Sequence, residues 1–150
     1  MKHLSIAWIA LLCAAAQAQL QVQSLDGSAV TRDAARLAAL PHEVVKAQAH
    51  GKAVELSAVD LREVLRAAGI EPPQQIHGAA LRRVLMAGAR DGCASAFSWT
   101  ELDAALGGRR VFLVQDGLKA EEGPLRLVVP ADGRPTRWVR QLDILRLVAP

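Results

Sequence analysis

The segment Gly123-Pro-Leu-Arg-Leu-Val-Val-Pro-Ala-Asp-Gly-Arg-Pro-Thr-Arg-Trp-Val-Arg140 decides the fold class. Leu125 to Val129 is a short apolar run stopped by proline at both ends, which predicts a strand. Asp132-Gly133-Arg134-Pro135 breaks the chain in a turn, and Val139 to Val148 supplies the next strand. On the other side, Glu121-Glu122-Gly123-Pro124 and Asp116-Gly117 separate this pair from a strand over Val111 to Gln115.

Working outward, Leu81 to Arg90 and Cys93 to Phe97 flank Asp91-Gly92, a dipeptide that favours the positive φ angles of a tight turn, so a β-hairpin is expected there. Ser98 and Glu101 have capping-box spacing and predict a helix over about 99–106, released by Gly107-Gly108. Leu61, Val64, Leu65 and Ala68 recur at helical spacing; with Ser57 as cap and Gly69 and Pro72-Pro73 as stops, they predict a helix over 58–68. Gln19 to Gln23 alternates as a strand before the Asp26-Gly27 turn, and residues 31–39 carry a short helical pattern ended by Pro41. His42 to His50 and Lys52 to Leu56 form two strands around His50-Gly51. The sum is an α+β fold, richer in strand, with short helices.

Met1-Lys2-His3 is short and basic, and Leu4 to Ala16 is apolar except for Ser5, too short to span a bilayer comfortably. With the small residues of Ala16-Gln17-Ala18, residues 1–18 read as a signal peptide with cleavage before Gln19, against the alternative of a retained anchor. Bulky Leu12 before Cys13 argues against lipidation. Residues 19–150 then form one exported domain, periplasmic or secreted and soluble after cleavage, long enough for a single core. The formal charge of +3 falls to +2 with loss of Lys2, too weak to argue for nucleic acid or a membrane surface. Only Cys93 is left, so no internal disulfide forms, and its thiol is expected as a small buried hydrophobe.

Leu56-Ser-Ala-Val-Asp-Leu-Arg-Glu-Val-Leu-Arg-Ala-Ala-Gly69, Ala-Arg-Asp-Gly at 89–92, Phe-Ser at 97–98, Gly-Pro-Leu-Arg-Leu-Val-Val-Pro at 123–130 and Arg-Trp-Val-Arg at 137–140 follow one another in an order that resembles the molybdopterin-binding domain of sulfite-oxidase-type proteins. The likeness covers nearly all of the expected mature chain. It implies a β-rich mixed fold and a pterin-containing ligand lying across loops at one end, without by itself implying activity. Catalytic members carry a molybdenum-ligating cysteine in a segment that corresponds by spacing to 44–51 here, where no cysteine occurs. Molybdenum wants a soft anionic sulfur, for which Gln48 or His50 is a poor substitute, so a metal is not expected. A small exported form without that cysteine is similar to periplasmic pterin-binding proteins that relay ligand status to membrane-bound cyclic-di-GMP enzymes.

Arg134, Arg137 and Arg140 with Trp138 form the one basic cluster that also holds an aromatic ring. A heterocycle could stack on Trp138 while guanidinium groups hold its oxygens or a phosphate; alternatively Trp138 is core and the arginines are solvated. Asp91 could accept from the amino and ring N–H edge of a pterin, or serve only the hairpin turn. His50 is either a pocket residue or an ordinary turn histidine. No zinc spacing, nucleophile elbow or phosphate-binding glycine loop is present. The reading is a non-catalytic, exported pterin-binding or molybdopterin-binding protein with a membrane signalling partner; the alternatives are a molybdenum-cofactor-dependent oxidoreductase and a ligand-free structural or assembly domain.

Overall fold

A computed structural model of the protein describes residues 17–150, so the expected signal peptide falls almost wholly outside the described residues. The fold is α+β: 37% of the described residues lie in strands against 18% in helical turns, which bears out the strand-rich expectation. Strands β1 (Gln19–Gln23), β2 (Ala29–Asp33), β3 (Glu43–Ala49), β4 (Lys52–Asp60), β5 (Val84–Ala89), β6 (Ala94–Ser98), β7 (Phe112–Val114), β8 (Arg126–Val128) and β9 (Leu142–Val148) form two sheets. The five-stranded sheet has the order β2-β1-β9-β5-β6 and the four-stranded one β3-β4-β7-β8. All neighbours are antiparallel except β1 and β9, which run parallel.

Alternation along the strands turns one face of each sheet inward. Leu20, Val22, Leu85, Phe97 and Leu145 of the larger sheet and Val45, Val59, Leu113 and Leu127 of the smaller join a single buried cluster. Helix α2 (Leu61–Ala67) adds Leu61, Val64 and Leu65 to it, as their spacing requires. The sheets are also tied by the chain that runs from β8 to β9, where Leu127 N–H donates to the Val139 carbonyl and Leu142 N–H to that of Leu125, both at 2.9 Å. No helix of the described residues is long and apolar enough to cross a membrane.

Several boundaries differ from expectation, each for a local reason. The helix expected over 31–39 is only α1 (Ala34–Ala38), because Thr31 to Asp33 pair with β1 as the end of β2. Asp33 then caps the shortened helix, its Oδ1 accepting from Arg36 N–H at 2.9 Å. Likewise β4 runs on to Asp60 because Ala58 to Asp60 pair with β7, so Asp60, not Ser57, caps α2 by accepting from Arg62 N–H. The helix expected over 99–106 is the single turn α3 (Trp99–Leu102), and its capping box does not form. The Ser98 hydroxyl bonds the Thr100 hydroxyl at 2.6 Å, while Glu101 is drawn to Arg137. After α3 the buried Asp103 organises the turn instead: its Oδ1 accepts from Ala105 N–H and its carbonyl from Gly108 N–H. A 3-10 turn at Gly78–Arg82 replaces the start of the strand expected from Leu81, and the last strand begins at Leu142 rather than Val139.

The hairpin expected at Asp91-Gly92 is present. Gly92 N–H donates to the Ala89 carbonyl, Ala89 N–H to that of Cys93, and Gly92 takes the left-handed φ of +87° that the turn requires. Cys93, expected to be buried, is exposed at the start of β6. Its place immediately after the turn, rather than within the alternating inward set, is the reason.

Candidate functional site

Two hairpin turns and the β8–β9 connection meet at one end of the fold and enclose a cleft of about 480 Å³. The β3–β4 turn contributes His50, the β5–β6 turn Asp91 and Cys93, β8 contributes Arg126, and the connection contributes Trp138 and Arg140. Four of the six residues singled out in the sequence therefore converge: His50, Asp91, Trp138 and Arg140. A shallower neighbouring cleft of about 350 Å³ shares His50, Pro135 and Thr136 with the first and adds Arg134.

Arg137 lines neither cleft. Its Nε and Nη2 donate to the two oxygens of Asp132 at 3.0 and 2.9 Å, and Nη1 donates to Glu101 at 3.2 Å. The Asp132 carboxylate, and less strongly Glu101, hold this guanidinium charged even more firmly than usual. It also stacks over the Phe97 ring, 5.0 Å from the centroid. Arg137 thus clamps the 3-10 turn Pro135–Arg137 to α3 and to the core. Arg134 and Arg140, by contrast, are exposed and have no ion-pair partner among the described residues.

Trp138 takes the core alternative. It is 4% exposed, and its indole Nε1–H donates to the Val129 carbonyl at 3.1 Å. Between the indole and an open stacking position lies Arg126, whose guanidinium sits 5.2 Å from the ring centroid and whose Nη1 is paired with Glu122. Arg126 lines the cleft, and its Nε is buried without an acceptor in the protein. Arg126 is the residue that inspection of the sequence missed; it lay inside an apolar run, and an arginine in a strand core was itself a signal.

Asp91 serves the turn with Oδ1, which accepts from Cys93 N–H at 2.9 Å. That backbone donor is the main reason its carboxyl titrates below the usual range, with the Cys93 thiol and then the nearby Arg140 as lesser ones. His50 has a left-handed φ of 51°, uncommon for a residue with a side chain, and it lines both clefts. The cleft wall thus offers cationic donors, the carboxylates of Asp91 and of Glu122, the latter paired with Arg126, an imidazole and a thiol around partly apolar ground. A larger groove of about 800 Å³ lies between the β1–β2 turn and residues 69–80, with Asp26, Glu71, His77 and Arg83 among its polar lining, but it holds none of the residues singled out.

Scanned against protein-family models the chain matches none, and a search of curated proteins returns no match.

Proposed function

We propose that the protein is an exported, non-catalytic binding protein for a pterin or a molybdopterin-like ligand, built on a sulfite-oxidase-type fold and reporting to a membrane signalling protein. The observation that carries the reading is the convergence of His50, Asp91, Trp138 and Arg140 on one cleft. A pterin is a flat heterocycle with a donor edge and a carbonyl. The Asp91 carboxylate suits the amino and ring N–H donors, and the Arg126 guanidinium in the cleft wall suits the carbonyl. Arg134 and Arg140, unpaired at the rim, suit an anionic substituent. Trp138 supports Arg126 from beneath rather than stacking on the ligand, and Arg137 positions the loop. Those two roles replace the direct contacts that the sequence suggested for both residues.

A second reading, the molybdenum-dependent oxidoreductase, draws on Cys93, whose thiol lines the same cleft. One titration addresses both. Protein isolated from its native compartment, with N-terminal sequencing expected to begin at Gln19, is titrated with neopterin and tetrahydropterin and assayed for molybdenum. Binding with far less than one molybdenum per chain is expected. Arg140→Ala, at an exposed position, should weaken binding about tenfold, the loss of a charge-assisted hydrogen bond. Absence of pterin binding by the parent protein overturns the proposal, and stoichiometric molybdenum moves it to the oxidoreductase.

A further inference from the structure

Each sheet ends in strands with one free edge, and a free edge presents unpaired N–H and C=O groups that recruit another strand unless something guards it. β2 ends in Arg32 and Asp33, β3 carries Glu43 and Lys46, and β8 is short, carries Arg126 and is covered where Leu127 bonds Val139. β6 is Ala94-Ser-Ala-Phe-Ser98, the one edge strand among the described residues with neither a charge nor a proline.

The register of the β5–β6 hairpin shows which backbone groups are open. Bonds from Ala89 N–H to the Cys93 carbonyl and from Trp99 N–H to that of Arg83 mark the hydrogen-bonded positions at either end. Alternation then directs Ser95 and Phe97 toward β5 and leaves the N–H and C=O groups of Ala94, Ala96 and Ser98 facing outward. All three of these residues are exposed, while Phe97 between them is buried.

We infer that β6 is a homotypic interface, on which a second copy of this chain pairs antiparallel about a two-fold axis at Ala96. A two-fold contact must be self-complementary, and uncharged β6 satisfies this without opposing like charges. With the axis at Ala96, Ala96 faces its own symmetry mate and Ala94 faces the partner's Ser98, so small neutral side chains meet and all three outward residues are bonded. The same operation centred on Lys46 of β3 would oppose two ammonium groups. The two five-stranded sheets become one continuous sheet across the axis. Ala94 and Ser95 also wall the cleft, so the partner's Ser98 comes to rest beside its rim. Small side chains on a short strand bury little area, which makes the association reversible and concentration-dependent. The inference is independent of what the cleft binds.

Sedimentation velocity over a dilution series of the whole chain tests it. The mean mass is expected to rise toward twice that of the monomer, and Ala96→Lys, which sets like charges opposite each other on a solvent-facing position, should weaken association about tenfold with an unchanged circular dichroism spectrum. In a background with Cys13 and Cys93 replaced by serine, Ala96→Cys should form a disulfide-linked dimer on mild oxidation, whereas Val44→Cys on the guarded β3 edge should not. A monomeric mass at every concentration, or equal cross-linking at both positions, overturns the inference.

Discussion

Replacing Trp138 by phenylalanine separates a core anchor from a ligand platform. In the wild type the indole N–H meets the Val129 carbonyl at 3.1 Å, on a residue that is fully buried. Phenylalanine has no donor, so that carbonyl loses a partner it cannot replace with bulk water, at a cost of about 1–3 kcal/mol. The smaller ring also gives Arg126, now 5.2 Å from the centroid, a weaker surface, which removes roughly 0.5–1 kcal/mol more. The total loss is about 1.5–4 kcal/mol, and with a urea slope of about 2 kcal/mol per M the unfolding midpoint should fall by about 0.75–2 M. The slope itself should hold, since the surface exposed on unfolding is little changed. Urea titration followed by circular dichroism reads both quantities. A midpoint shift below about 0.25 M at constant slope would show that the buried hydrogen bond and the Arg126 contact carry no stability, and the structural role given to Trp138 would fall.

Two further outcomes are expected. A Cβ at Gly107 would sit 2.4 Å from Glu101 Cα and 2.7 Å from its carbonyl oxygen, backbone atoms that cannot turn aside; Gly107→Ala should therefore cost about 1–3 kcal/mol, measured as a lowered melting temperature, and an unchanged melt would refute the close approach. Asp26 has its carboxyl lowered from 3.8 to about 2, first by the Ser24 hydroxyl and then by that of Ser28, so the stability it contributes is fully present above about pH 4 and is lost as pH falls through about 2. Its carboxyl carbon followed by NMR should titrate near 2, Asp26→Asn should abolish that pH dependence, and titration near 3.8 would contradict the hydrogen-bonded turn.

What could be read from the residues in advance was local chemistry. Asp91-Gly92 announced its hairpin, and Leu61, Val64 and Leu65 announced α2, because turn geometry and helical spacing are written within a few positions. The alanine-rich stretch around Thr31 to Asp33 looked helical by composition, yet its pairing with β1 across the Asp26-Gly27 turn outweighed that preference. Side-chain partners were the least legible. Arg137 looked as free as Arg134 and Arg140, and only the fold brings Glu101 within reach of it, across 36 positions of chain. Arg126 was legible as an arginine within an apolar strand, but its stacking on Trp138 becomes visible only once β8 and the following connection are folded together.

The parallel pairing of β1 with β9 has a kinetic meaning. β9 lies between β1 and β5, so the larger sheet has no centre until residues 142–148 are in place; before that, its other strands are two separate hairpins. Isolated hairpins are marginal in water, and contacts between the two ends of a chain are the slowest to form. The larger sheet therefore cannot assemble until its last strand is available, so a chain cut before residue 142 should leave the β1–β2 and β5–β6 hairpins without the strand that joins them.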